Sequence, residues 1–137
     1  MKTDAGTIVV DAGPLIHLDE LSALDLLDDS GPLIAPEAVW QEACKHRPQL
    51  EKGRIPGLAI ASGTPQKSAR LAALAETLSL DLGEIDALAL AEHRKCRTFL
   101  TDDSAARLAG ESMGLQVHGT IGVIVRAIRR GLRTHEQ

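Results

Sequence analysis

The sequence predicts an α/β fold: a three-layer α/β/α sandwich around a central, mainly parallel sheet. Short β-branched or apolar segments alternate with helical segments along nearly the whole chain. Such alternation favours a parallel sheet that helices cover on both faces. No internal repeat, low-complexity tract or linker interrupts the pattern, so we expect residues 1–137 to form a single domain.

In the N-terminal half, β-branched runs and turn residues mark the elements. Thr7-Ile8-Val9-Val10 predicts a buried strand, and Gly13-Pro14 predicts the start of a helix, because proline suits the first helical position. Leu24 to Leu27 predicts a short helical turn. Leu33-Ile34-Ala35 predicts the second strand, and Pro36 opens a helix that runs to about Lys45.

The second half is clearer, except between residues 46 and 67, where only Leu58-Ala59-Ile60 suggests a strand. A helix is predicted at 68–78 because its leucines and Ala75 share one face. Gly114 ends a further helix. The remaining predictions are helices at 84–93, 104–113 and 120–130 and strands at 98–101 and 115–117.

Composition limits the class of protein. The chain is 44% hydrophobic and 25% charged, as expected for a globular protein in water. No apolar run approaches the roughly 18 residues of a membrane span, and residues 1–10 lack the apolar stretch of a signal peptide. We therefore expect a cytoplasmic protein with no membrane partner.

Neither cysteine lies in a CxxC motif, and the five histidines show no metal-ligand spacing. Any metal would therefore be held by oxygen. The formal net charge is −4, and Trp40 and Phe99 are the only aromatic residues. A protein with so few aromatic side chains cannot stack successive bases, so RNA binding would depend on phosphate contacts, arginine and backbone.

Acidic residues recur where the apolar segments end. They are Asp11, Glu42, Glu84, Asp86, Asp102 and Asp103. Carboxylates beside core residues are costly unless they meet hydrogen-bond donors or cations. In a parallel sheet the ligand site lies beyond the carboxyl ends of the strands. We therefore expect one oxygen-rich pocket, which suits Mg²⁺ or Mn²⁺.

Each acidic position also has a structural alternative. Asp11 could cap the following helix, and Glu42 taken alone resembles a solvated glutamate. Asp86 is the only charged residue in 85–91, an apolar run that predicts a buried helix, so we expect a cation to meet it. Glu84 does not share a helix face with Asp86 and reaches the pocket only from the start of the helix.

Asp102 and Asp103 are adjacent, so their side chains diverge, and one could face the pocket while the other caps the next helix. The Thr101-x-Asp103 spacing favours Asp103 as the ligand, with Asp102 a close second. Thr101 could hydrogen-bond a ligand carboxylate or water. Arg107 could pair with Asp103 or contact a substrate phosphate, and a surface ion pair is equally compatible.

Five ordered segments carry a family resemblance: Asp11-Ala-Gly-Pro-Leu-Ile, Val39-x-x-Glu42, Gly83-Glu-Ile-Asp-Ala-Leu-Ala-Leu-Ala, Leu100-Thr-Asp-Asp-Ser-Ala-Ala-Arg and Val117-His-Gly-Thr-Ile-Gly-Val-Ile. Together they resemble the PIN-domain ribonucleases, with the last resembling a subgroup of uncharacterised prokaryotic proteins related to VapC toxins. The resemblance implies a PIN-like sandwich and an endoribonuclease that cleaves single-stranded RNA with Mg²⁺ or Mn²⁺. It also implies a homodimer and, for a toxin, a protein antitoxin.

By family position, the catalytic and metal-binding residues would be Asp11, Glu42, Asp86 and Asp103. Glu84 and Asp102 are further candidates for the metal, and Thr101 and Arg107 are candidates for substrate contact. The mechanism expected from this set is attack by a metal-activated water on the phosphodiester.

Other classes of function fit less well. A non-catalytic or partner-silenced binding module would share the fold, although the complete acidic set argues against lost catalysis. A receiver-like signalling domain needs a paired acidic site after the first strand and a late lysine, but Asp11 stands alone and no lysine follows Lys95. No G-x-G-x-x-G follows the first strand, which argues against a Rossmann nucleotide binder.

Overall fold

The computed structural model describes residues 5–28, 30–63 and 65–131. Within these residues the strands are β1 (Ile8–Val10), β2 (Leu33–Pro36), β3 (Leu58–Ala61), β4 (Thr98–Leu100) and β5 (Gln116–His118). The helices are α1 (Ala12–Glu20), α2 (Glu37–His46), α3 (Ala69–Leu78), α4 (Leu82–Arg94), α5 (Ser104–Ser112) and α6 (Thr120–Arg129). Two 3₁₀ turns span Leu24–Leu27 and Lys52–Arg54.

The strands form one parallel sheet in the order β3-β2-β1-β4-β5. The chain builds the sheet outward from β1 in one direction and then returns to add β4 and β5 on the other side. β1 and β4 therefore flank the point where the strand order reverses, and Val10 is in register with Leu100. Residues that follow these two strands meet at the crevice where open α/β sheets bind ligands.

Helices cover both faces of the sheet. α1 and α6 pack together with the 3₁₀ turn at Leu24–Leu27, while α3 packs on α4 and α5. α2 contacts both α1 and α4. Phe99 in β4 and Leu88 in α4 are fully buried. The predicted three-layer α/β/α sandwich is confirmed. None of the described helices is long and apolar enough to cross a membrane.

Every predicted element is present, including the strand at Leu58–Ala61. The predicted starts of two helices were wrong. α1 begins at Ala12, because the Asp11 side chain accepts a hydrogen bond from the Ala12 amide and caps the helix. Pro14 is therefore the third helical residue, where its missing amide proton still costs no intrahelical bond. α4 begins at Leu82, two residues earlier than predicted, because Asp81 caps it.

Candidate functional site

Asp11 is a buried carboxylate at the carboxyl end of the central strand. It is 6% exposed, its amide donates to the Leu100 carbonyl at 2.8 Å, and its Oδ1 accepts from the Ala12 amide at 2.9 Å. Burial raises the pKa of Asp11 to about 6, although hydrogen bonds from Thr101 and Ala12 oppose the shift. The nearby charges of Asp81 and Glu42 raise this pKa further.

Thr101 joins the ends of β1 and β4. It is fully buried, and its hydroxyl donates to Asp11 Oδ2 at 2.8 Å. The same hydroxyl oxygen accepts from the Asp103 amide at 3.2 Å. Thr101 was expected to bond a ligand carboxylate or water, and its hydroxyl does bond a carboxylate, that of Asp11; contact of Thr101 with substrate stays a prediction. Thr101 thus fixes the orientation of Asp11 and the position of Asp103 at once.

Glu84 is the second buried carboxylate, 7% exposed in the first turn of α4. Its Oε1 accepts from the Asp81 amide at 2.9 Å, and Asp81 Oδ1 accepts from the Glu84 amide at 2.8 Å. This reciprocal pair is a capping box. Burial raises the pKa of Glu84 to about 7, and the neighbouring Asp103 and Asp81 side chains raise it further.

We call Asp11, Glu42, Asp81, Glu84 and Asp103 the acidic cluster. Its members act on one another electrostatically although they come from four separate parts of the chain. Asp11 and Glu84 are buried, while the other three are exposed at the rim. Burial and neighbouring negative charges disfavour the ionised form of a carboxylate, so a bound cation or protons must offset the negative charge of the cluster.

The cluster suits a hard cation by its chemistry, since its donors are carboxylate oxygens beside a threonine hydroxyl. Within residues 5–28, 30–63 and 65–131, however, no three His, Cys, Asp or Glu side chains are grouped as ligands of one ion. Mg²⁺ usually keeps several waters and takes one or two carboxylates plus substrate phosphate oxygens. One or two carboxylates of the cluster would meet that smaller requirement.

Asp86 is placed differently from the prediction. It is partly exposed rather than buried, and within the described part of the chain it makes no hydrogen bond or ion pair. Glu84 takes the inward position because the capping box with Asp81 fixes the first turn of α4. Glu84 and Asp86 lie two residues apart and so point to different sides of the helix. The ligand role of Asp86 stays a prediction.

Asp102 and Asp103 diverge as predicted, but Asp103 does two things. Its Oδ2 caps α5 by accepting from the Ala106 amide at 2.9 Å, and its charge also raises the pKa of Glu84. Asp102 instead accepts from the Thr120 amide at 2.7 Å, from the Thr120 hydroxyl at 2.5 Å and from His17 Nδ1 at 2.7 Å. Asp103 therefore belongs to the acidic cluster, and Asp102 does not.

Arg107 does not pair with Asp103 among the described ion pairs. Its Nη1 donates to the Val117 carbonyl at 3.1 Å, which ties α5 to the middle of β5. This hydrogen bond gives the Arg107 guanidinium a partner within the protein. Phosphate binding by Arg107 therefore stays a prediction.

Sequence reasoning missed two residues of this region. Asp81 had a visible signal, because Asp81-x-x-Glu84 before an apolar run is the pattern of a capping box. His17 had none, since it meets Asp102 across 85 residues of chain.

A cavity of about 770 Å³ lies between α6, the Leu24–Leu27 turn and the sheet, and no member of the acidic cluster lines it.

The fold and the acidic cluster define an α/β protein with a carboxylate site at the switch point of its sheet. A family profile described as the PIN domain matches residues 7–136. The chain belongs to the PIN-domain family. PIN domains are generally nucleases and typically use a divalent metal.

The structure comparison agrees on the fold. The crystal structure of PAE2754 from Pyrobaculum aerophilum is similar over 94% of both chains, with a TM-score of 0.60 and 13% sequence identity. At that identity the similarity shows the fold alone. No curated protein matches the chain significantly.

Proposed function

We propose that this PIN-domain protein is an endoribonuclease that hydrolyses phosphodiester bonds of single-stranded RNA with Mg²⁺ or Mn²⁺. One observation carries the proposal: Asp11 is 6% exposed, has a pKa raised to about 6, and lies at the switch point of the sheet among like-charged neighbours. A structural cap needs one ionised carboxylate, but it does not need the further carboxylates of Glu42 and Asp81 beside it.

The burial and the contacts of each residue of the site suggest its role. Asp11 and Asp103 would hold the cation, with Glu84 as the third carboxylate within reach. Bound there, a divalent cation would activate water and stabilise negative charge on the reacting phosphate. Thr101 holds Asp11 in place through its hydroxyl, so that one carboxylate oxygen keeps a fixed direction.

Two of the three exposed members of the cluster have a different role from Asp103. Glu42 and Asp81 lie at the rim, where they would act on the cation through bound water rather than directly. Their negative charge would also repel RNA that arrives without a cation. We therefore expect RNA binding at this site to require the metal.

The test is cleavage of a fluorescently labelled, unstructured RNA by purified protein in Mn²⁺, in Mg²⁺ and in EDTA. We expect cleavage only with a divalent cation, and a loss of more than about 100-fold in Asp11→Asn and Asp103→Asn, beyond the range usual for outer partners of a metal site. Asp28→Asn is the matched control, because Asp28 is an exposed carboxylate outside the cluster. Wild-type cleavage by Asp11→Asn in Mn²⁺ would show the proposal to be wrong.

The protein partners are also proposals. Ile121 and Val125 lie one turn apart on α6 and are 78% and 38% exposed, which supports a protein contact on that helix. We propose a homodimer through this face, to be tested by light scattering of wild type and Ile121→Asp. Inhibition of RNA cleavage by the product of a small adjacent reading frame would test the antitoxin.

A further inference from the structure

We propose that Asp102 is a positioning residue, which ties α1 and α6 to the loop that presents Thr101 and Asp103 to the acidic cluster. It does not bind the metal itself. This inference rests on the proposed function, because it assigns a role beside the same site. It resolves the choice between two adjacent aspartates by what each of them contacts.

Asp102 is held by donors from two helices. Oδ2 accepts from His17 Nδ1 of α1 and from the Thr120 hydroxyl at the start of α6, and Oδ1 accepts from the Thr120 amide. Burial alone would raise the pKa of Asp102, but these bonds outweigh it and lower the pKa. An ionised carboxylate only accepts hydrogen bonds, so His17 must carry its proton on Nδ1.

The backbone at Gly119 approaches Asp102 closely. A Cβ on Gly119 would lie 2.7 Å from Asp102 Oδ1 and 3.2 Å from the Thr101 carbonyl oxygen. On the side of α1, a Cβ on Gly13 would lie 3.4 Å from Asp102 Cβ, which is ordinary van der Waals contact. Gly119 thus lets the start of α6 approach the carboxylate closely enough for the Thr120 amide to donate to it.

Fixing Asp102 also fixes its neighbours. Thr101 precedes it and donates to Asp11, and Asp103 follows it with its amide bonded to the Thr101 hydroxyl and its side chain capping α5. Because adjacent side chains diverge, holding Asp102 toward α1 and α6 directs Asp103 toward the cluster. Three of the roughly four acceptor positions of Asp102 are already used, which leaves at most one for a metal, whereas the role of a positioning residue uses all three bonds.

The experiment compares Asp102→Asn, Thr120→Val and Thr120→Ser with Asp103→Asn. Mn²⁺ binding is measured by calorimetry, and RNA cleavage is measured at saturating Mn²⁺ and well below the unfolding temperature. We expect Asp102→Asn and Thr120→Val to bind Mn²⁺ with wild-type stoichiometry but to lose about 10–100-fold in kcat with little change in KM. Thr120→Ser, which keeps the hydroxyl, should restore wild-type kcat, and Asp103→Asn should lose Mn²⁺ binding.

Two results would overturn the positioning role alone. Loss of Mn²⁺ binding in Asp102→Asn, equal to the loss in Asp103→Asn, would make Asp102 a ligand. Wild-type kcat in both Asp102→Asn and Thr120→Val would leave it without a role in the reaction. A wild-type protein that binds no Mn²⁺ and cleaves no RNA would instead overturn the proposed function, and this inference with it.

Discussion

Replacing Asp11 by asparagine should flatten the pH dependence of stability. Asparagine has nearly the same size and keeps an oxygen that can accept from the Ala12 amide. It removes a buried group that must ionise as pH rises. Without metal, Asp11→Asn should therefore lose less stability than wild type as the pH rises through 6. The same substitution abolishes the proposed metal site.

The size of the effect follows from the shift in pKa. Asp11 has an ordinary pKa of 3.8 and a folded-state pKa of about 6. A raised folded-state pKa means that the stabilisation from Asp11 is fully present below pH 3.8 and is lost as pH rises through 6. Between pH 5 and 8 the loss is about 1.4 kcal/mol, out of about 3 kcal/mol for the whole shift.

The assay is urea unfolding in EDTA at pH 5 and pH 8, followed by fluorescence of Trp40, the only tryptophan. Between pH 5 and pH 8, the free energy of unfolding of wild type and of the control Asp28→Asn should fall by about 1.4 kcal/mol more than that of Asp11→Asn. Glu84 also titrates in this range, but it does so in every variant and cancels in the comparison. An equal pH dependence in all three proteins would refute the reasoning.

Three further changes test the surrounding contacts. Gly119→Ala should lower the free energy of unfolding by about 1–3 kcal/mol, because its Cβ would lie 2.7 Å from a carboxylate oxygen of the preceding loop; unchanged urea unfolding would contradict that close approach. Thr101→Val should cost about 1–3 kcal/mol, since it leaves a buried oxygen of Asp11 without its donor, and stability equal to wild type would argue against the bond. Glu84→Gln should weaken Mn²⁺ binding in calorimetry more than Asp86→Asn, and the opposite order would favour Asp86, the ligand predicted from the sequence.

The fold could be predicted because its determinants are local. Ile8-Val9-Val10 favours a strand wherever it lies, and glycine or proline marks most of the breaks. The alternation of elements then limits the sheet to a parallel one. The meeting of Asp11 with Thr101 followed from that topology, since both segments leave the sheet at the same edge.

The details of the site could not be predicted because they depend on distant residues and on helix rotation. The apolar run around Asp86 predicts a buried helix but does not say which face turns inward, and the capping box placed Glu84 there. The choice between Asp102 and Asp103 depends on His17 and Thr120, which are 85 and 18 residues away in the chain. No local pattern contains that information.

The most direct test of the metal site is a crystal grown or soaked with Mn²⁺ and measured for anomalous scattering. The account predicts one or more strong peaks bounded by carboxylates of Asp11 and Asp103, with Glu84 in reach and Asp102 still bonded to Thr120. Mn²⁺ bound elsewhere, or a cluster that stays without a peak at saturating Mn²⁺, would contradict it.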